Sequence, residues 1–303
     1  PTVANRVPVH ASGPYKVNDY QASSRGIYTN NPPSGAFRGF GVPQSAIAQE
    51  SMFDELADKL GLDPLAFRLK NALENGVETV CGQVFEKGAG IKACLKALQP
   101  AWIEERQKAT EANKSSAVLK YGVGIGVGWY GCGNTSLPNP STIKAGIFSD
   151  GGIRLHQGAM DIGQGSNTVI SQIFARALGI PVSDIQIIGP DTDITPDAGK
   201  TSASRQTFVS GNAARLAGER LRRQITERLN VSEDAKFSFS GPELTVADRA
   251  GKHALHLQNL PKNGDGFVFF AEETYDPPTK PLDKNGQGHP YAQFGYAAHL
   301  AVV

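Results

Sequence analysis

Three short stretches carry residue types that could do chemistry. In MDIGQGSNT (160–168), Gly163, Gln164 and Gly165 stand between a strand-like run and a helical one. The free N–H groups of a helix start would point back toward these glycines and could cradle an anion or a polar ligand. A tight strand-to-helix turn would use the same glycines to relieve strain, and both readings stand. In PDTDITPDAGKTSASRQT (190–207), Thr201, Ser202, Ala203 and Ser204 come just before a helix. Their hydroxyls and backbone N–H groups could also take an anion, although the residues alone favour an ordinary helix cap. In SGAFRGFGVPQ (34–44), Arg38 and Phe40 sit among glycines, on a backbone that lets another segment or a ligand come close.

Other chemistries find little support. Neither a GxxxxGK[ST] phosphate loop nor a GxGxxG dinucleotide pattern occurs at these places, which argues against nucleotide hydrolysis and hydride transfer. His10, His156, His253, His256, His289 and His299 are scattered, and no clear helix puts His253 and His256 on one face as metal ligands. Asp191 and Asp193 lie in a loop, where each serves as well as a turn residue as a catalyst. Cys81, Cys94 and Cys132 form no CxxC pair, so a disulfide framework, an iron–sulfur site and a zinc site are unsupported and a reducing compartment, the cytoplasm, is the simpler reading. The formal charge of +1 and the lack of a long basic run exclude a nucleic-acid partner, and no apolar run has the length of a membrane span.

The elements that must position these residues follow from periodicity. The 303 residues, 40% hydrophobic, suffice for one large domain or two smaller ones. Phe53, Leu56, Ala57 and Leu60 predict an amphipathic helix ending at Gly61, and Asp63-Pro64 predicts the start of a second helix running to Gly76. A third is expected near 91–98, and QKATEANKSS (107–116) reads as a linker that sets a boundary near residue 118. Beyond it, YGVGIGVGWYGCGN is strand-like, and AGIFSDGGIRLHQGAM predicts a hairpin whose second strand feeds directly into the Gly163 loop. Ser166 is an N-cap candidate for a helix through Leu178, with Val169, Ile170, Ile173, Phe174, Ala177 and Leu178 on its apolar face. A buried strand at 185–188, a long helix over 206–229 and a hairpin in KFSFSGPELTVADR complete an α+β pattern. The chain opens at Pro1 and closes on YAAHLAVV, a strand with no turn after it, which reads as a piece of something longer with an unpaired edge.

Taken in order, YTNNPPSGAFRGFGVPQ, MDIGQGSNTVISQI and DTDITPDAGKTSASRQTFVSGNAARLAG resemble the molybdopterin-binding subunit of the xanthine dehydrogenase and aldehyde oxidase family, with the nicotinate dehydrogenase and aldehyde oxidoreductase branch as the nearest flavour. The resemblance covers nearly the whole chain. It implies two molybdenum-cofactor-binding domains, both incomplete: the C-terminal part of the first over 1–118 and the N-terminal part of the second over 119–303. It implies a hydroxylase that places a water-derived oxygen next to a ring nitrogen or on an aldehyde, using a molybdenum–pterin cofactor that in some relatives is the cytosine dinucleotide form. Iron–sulfur clusters and FAD would sit on partner subunits or domains, and the rest of the molybdopterin subunit would be a further partner.

Residue by residue, the resemblance puts Arg38 beside the molybdenum without ligating it and Phe40 against the substrate. It assigns Gly163, Gln164 and Gly165, with Ser202, Ala203, Ser204 and Arg205, to the cofactor. Arg6 matches a substrate-orienting arginine of the xanthine-active relatives, a place where an arginine can also be structural, and Trp129 and Tyr130 are candidates for the substrate channel. GVGWYGCGNTSLPNPST departs from the xanthine enzymes and puts purine specificity in doubt. The family's general-base glutamate has no counterpart in these 303 residues, so no catalytic residue is assigned. A different class of reading is an inactive scaffold or interaction module that retains the fold without cofactor.

Overall fold

The computed structural model describes residues 2–32, 35, 37–115, 118–133 and 138–303. Ser34 and Ala36 of the SGAFRGFGVPQ stretch, Ser116 of the expected linker and 134–137 of the loop that departs from the xanthine enzymes lie outside the described residues.

Along the chain the elements are α1 (Thr2–His10), α2 (Val42–Lys59), α3 (Pro64–Asn71), α4 (Ile91–Ser115), β1 (Val123–Gly131), β2 (Ser141–Phe148), β3 (Ile153–Gln157), α5 (Ser166–Leu178), β4 (Ile185–Ile188), α6 (Gln206–Leu229), β5 (Lys236–Ser240), β6 (Glu243–Ala247), β7 (Lys252–His256), β8 (Phe267–Tyr275) and β9 (Phe294–Val302). They form two compact units, 1–137 with 278–303 and 138–277. The expected boundary near residue 118 is a division along the chain, whereas the compact units are divided in space. No described helix is long and apolar enough to cross a membrane.

In the first unit, β1 and β9 pair antiparallel over their whole length, and Gly122 and Val303 exchange backbone hydrogen bonds just beyond it. The closing run AHLAVV is therefore paired with β1 along one edge, and no described strand pairs with its other edge. Asp63 caps α3 as predicted, its carboxylate accepting the Ala66 N–H at 2.9 Å. The helix stops at Asn71, short of Gly76, because Ala72 turns extended and bridges Tyr15. On α2, Ala57 is buried, but Leu56 and Leu60 are exposed.

The largest difference from the expected elements is α4, which continues through the supposed linker to Ser115. Its second half is polar, so composition reads as a linker. Lys108 pairs with Glu104 and Glu105 and Lys114 with Glu111 at helical spacing, while Trp102 and Ala109 are buried. Asn113 then ties the helix end to both backbone groups of Tyr121.

In the second unit, a four-stranded sheet in the order β4-β3-β2-β8 carries α5 and α6 on one face. Ile143, Ala145, Ile147 and Leu155 from the sheet meet Ile170, Phe174, Ala213, Ala217 and Leu221 from the helices. The helices approach closely at Gly218, where an added Cβ would lie 2.9 Å from Phe174 O and 2.8 Å from Ala177 Cβ. β4 pairs parallel with β3 at the sheet edge and is only half-buried, so the expected buried strand is an edge strand. β5, β6 and β7 make a separate antiparallel sheet, with His253 and His256 on a strand. The α+β pattern holds.

Candidate functional site

The second unit places two of the three stretches side by side. β3 ends at Gln157, so an eight-residue loop, and not the strand itself, delivers Gly163, Gln164 and Gly165. Gly163 and Gly165 have φ of 102° and 80°, a left-handed backbone that favours glycine, and added Cβ atoms there would meet nothing within 4 Å. The N-cap of α5 is Gly165, and Ser166 is the first helical residue.

Capping falls to Asp161, two residues before the glycines. Its carboxylate accepts the N–H groups of Asn167 (3.1 Å), Gly163 (2.9 Å) and Gly165 (3.2 Å), and these donors hold its pKa below the usual carboxylate range. The anion at this helix start is thus the chain's own. Gln164 closes the loop on itself: its Oε1 accepts the Ile162 N–H at 2.6 Å, and its Nε2 donates to Met160 O and Ser166 Oγ, both at 3.1 Å. Behind the loop, the buried Gln157 accepts the Ala159 N–H at 2.9 Å and donates to Asn167 Oδ1.

The neighbouring loop is strained in a particular way. Ala203 and Ser204 are consecutive non-glycine residues with φ of 56° and 55°. They do not cap α6, whose N-cap is Arg205 without a side-chain bond. Arg205 is 1% exposed, and its guanidinium donates to Ala198 O, to Lys200 O (3.3 Å), to Asn139 O (2.7 Å) and to Pro140 O (2.5 Å). Burial lowers its pKa, and it grips backbone with no salt bridge to any described residue. Gly199 is required beneath it, since a Cβ would come within 2.7 Å of its Nη1. Thr201 joins the two loops: the Met160 N–H donates to Thr201 Oγ1 at 3.0 Å, and the hydroxyl donates back to Met160 O at 3.1 Å. Asp191 acts as a turn residue, accepting the Asp193 N–H at 2.9 Å.

The first unit holds the other predicted residues. Gly39, Phe40 and Gly41 have φ of 99°, 49° and 96°, three left-handed residues in succession. A Cβ on Gly41 would stand 2.6 Å from Val3 O, so this glycine serves close approach to α1. Arg38 is exposed and makes no hydrogen bond or ion pair with any described residue. Phe40, partly exposed, lies over the guanidinium of Arg6 at 5.5 Å, with Tyr130 at 4.9 Å and Tyr291 at 5.2 Å.

Arg6 itself is 1% exposed and donates to Gly131 O (3.2 Å) and Gly133 O (2.5 Å), with no carboxylate partner among the described residues. Trp129 is buried, stacked on Phe294 at 4.5 Å, and donates to His10 O at 3.3 Å. It belongs to the core. Tyr130 remains partly exposed, its pKa raised by burial. Sequence reasoning did not single out His10, which is buried at the centre of these rings and held neutral, its pKa lowered to about 4 by burial. The Gly131 N–H donates to its Nε2 at 3.0 Å, which leaves Nδ1 as the donor to Arg6 O at 2.9 Å. A histidine one helical turn after the arginine was the available signal. For Asp161 it was the Asp two positions before a glycine, the spacing of an Asx turn.

Among the described residues, no group of three or more His, Cys, Asp or Glu is placed to hold a metal. Comparison with known proteins identifies the family. Two models described as molybdopterin cofactor-binding domains match residues 1–72 and 96–303. A putative xanthine dehydrogenase molybdenum-binding subunit of Escherichia coli is 38% identical over 209 residues, 68% of this chain and 28% of that protein. The aldehyde oxidoreductase of Megalodesulfovibrio gigas is 36% identical over 279 residues, 86% of this chain and 30% of that protein. A solved structure of aldehyde oxidoreductase from Desulfovibrio gigas superposes with a TM-score of 0.81 at 28% identity, over 99% of this chain and 30% of that one. The chain thus spans less than a third of the length of these relatives. With both models matched and these relatives in agreement, the chain belongs to the molybdopterin cofactor-binding domain family of the xanthine dehydrogenase and aldehyde oxidoreductase type.

Proposed function

We propose that this chain is the cofactor-holding part of a molybdenum hydroxylase acting on an aldehyde or an N-heterocycle, with water as the source of oxygen. The observation that carries the reading is the pair of loops joined through Thr201, which offer the neutral hydroxyls of Ser202 and Ser204 and, among the described residues, no metal-ligand cluster. Such a donor set suits a group that brings its own dithiolene ligands to the metal. The open space at Gly163 and Gly165 and the left-handed pair Ala203 and Ser204 suit close approach by a bulky polar ligand. When bound, the molybdenum–pterin group supplies the two-electron oxidation and the oxygen transfer.

The chain's own residues bind and orient. The hydroxyls of Ser202 and Ser204 would hold the pterin and its phosphate, Gln164 would keep the shape of its own loop against the cofactor, and the cytosine dinucleotide form is the one we favour. Arg38 supplies a fixed planar cation to an anionic group, and Phe40 and Tyr130 offer ring faces to a flat substrate. Arg6, Trp129 and Arg205 support from within: buried and bonded to backbone, they position the segments that make contact. No residue of this chain is assigned as general base, and hydroxylation requires more polypeptide than these residues, in keeping with the share of the relatives matched. Iron–sulfur and FAD centres on partner subunits or domains would take up the electrons. Along the chain, residue 118 divides the two cofactor-binding domains. Three free thiols suit a cytoplasmic protein.

Metal analysis and pterin fluorescence on the complete purified protein test the reading, together with oxidation of an aldehyde and an N-heterocycle by an artificial electron acceptor. About one molybdenum and one pterin per folded chain, with turnover, is the expected result. Folded protein without either would favour the inactive scaffold.

A further inference from the structure

Thr201 is half-buried between the two loops of the second unit, and every hydrogen-bonding position of its hydroxyl is used. Its one proton goes to Met160 O at 3.1 Å, and its oxygen accepts from the Met160 N–H at 3.0 Å and from Gln206 Nε2 at 3.3 Å. Only a side chain that both donates and accepts through one atom can satisfy the N–H and C=O of the same residue in this way. Met160 opens the loop that carries Gly163, Gln164 and Gly165, and Met160 O also takes the Gln164 amide at 3.1 Å. One carbonyl therefore joins Thr201 to Gln164.

Behind Thr201 lies a second layer of polar contacts. The buried Gln206 amide also donates to Lys200 O at 3.2 Å and to Ala198 O at 3.4 Å, while its Oε1 accepts the hydroxyl of Ser210, which meets Ser141 Oγ at 2.7 Å. This network roots Thr201 in the first turn of α6 and the start of β2, both rigid parts of the unit. Such a network leaves the hydroxyl one orientation.

We propose that Thr201 is the positioning residue that sets the Gly163–Gln164–Gly165 loop against the Ser202–Ala203–Ser204 loop, so that the two act on one ligand as a single rigid cradle. The proposal rests on the reading that these loops hold the pterin. A threonine here does more than begin a helix: it fixes the spacing and register of donors on two separate segments, and Gln206 fixes the threonine. The strain at Ala203 and Ser204 then lies between two anchors, Thr201 on one side and Arg205 on the other.

The test compares Thr201→Val, which keeps shape and loses the hydroxyl, with Thr201→Ser, which keeps it. Pterin content per folded protein, measured by fluorescence of the released pterin, should fall about tenfold in Thr201→Val and stay near wild type in Thr201→Ser, the size expected for losing a pair of hydrogen bonds. Amide exchange at Met160 gives a readout independent of cofactor: the N–H should be protected in the wild type and in Thr201→Ser and released in Thr201→Val. Wild type with pterin and a Thr201→Val protein equally loaded would overturn the proposal. So would an unprotected Met160 amide in the wild type, a measurement that stands even if Thr201→Val does not fold. Wild type without pterin, but with Met160 protected, would instead remove the reading on which the proposal rests.

Discussion

The guanidinium of Arg6 lies 4.9 Å from the ring centroid of Tyr130 and donates to the carbonyls of Gly131 and Gly133 in the turn that follows it. The arginine thus holds both the face of the ring and the backbone beyond it. A lysine would keep the charge but could not span two carbonyls and stack at once. Arg6→Lys should cost roughly 1–3 kcal/mol of unfolding free energy, as expected for a buried carbonyl left without its donor. Urea unfolding at constant m-value checks it.

His10 predicts a pH dependence. Burial lowers its pKa from 6.5 to about 4, so the folded chain prefers neutral imidazole and the unfolded chain binds more protons between these values. Stability from this group is complete above pH 6.5 and is lost as pH falls toward 4, by about 3 kcal/mol in all. Urea midpoints from pH 7 to pH 4 should fall along this course, and His10→Gln should flatten it.

Arg38→Lys should lower turnover about tenfold while molybdenum content stays near wild type, because the planar fork is lost and the charge is kept. Arg38 is exposed and has no hydrogen-bond or ion-pair partner among the described residues, so folding should not change. Normal turnover at normal loading would remove the assignment.

Gly163→Val and Gly165→Val should abolish pterin retention in a folded protein. Neither Cβ would meet an atom within 4 Å, so the folding cost reduces to a left-handed backbone, about 1–2 kcal/mol each. Full pterin content in either variant would make the loop a plain turn.

Gly218→Val tests the core of the second unit. With Phe174 O 2.9 Å from the new Cβ, α5 and α6 must separate, and the expected loss is roughly 1–3 kcal/mol or more in thermal unfolding.

The sequence made some of this legible for identifiable reasons. α6 was found at its observed bounds, and the β2–β3 hairpin was found because Asp-Gly-Gly is a local signal. α4 was cut short because charged helix and linker share a composition, and only the spacing of Glu104, Lys108, Glu111 and Lys114 distinguishes them. The pairing of β1 with β9 joins residues some 170 apart, which no local pattern encodes. Candidate site residues were readable as types, but not in their surroundings: nothing local tells that Trp129 stacks in the core, that Arg205 grips four carbonyls, or that Asp161 already fills the start of α5.

Arg205 has a kinetic consequence. Since it fixes the carbonyls of 139, 140, 198 and 200 when the second unit folds, the freedom of that loop is lost then and not when a ligand arrives. Association at this loop should proceed at a rate set by encounter and orientation, without a slow ordering phase, and dissociation should carry the differences in affinity among variants.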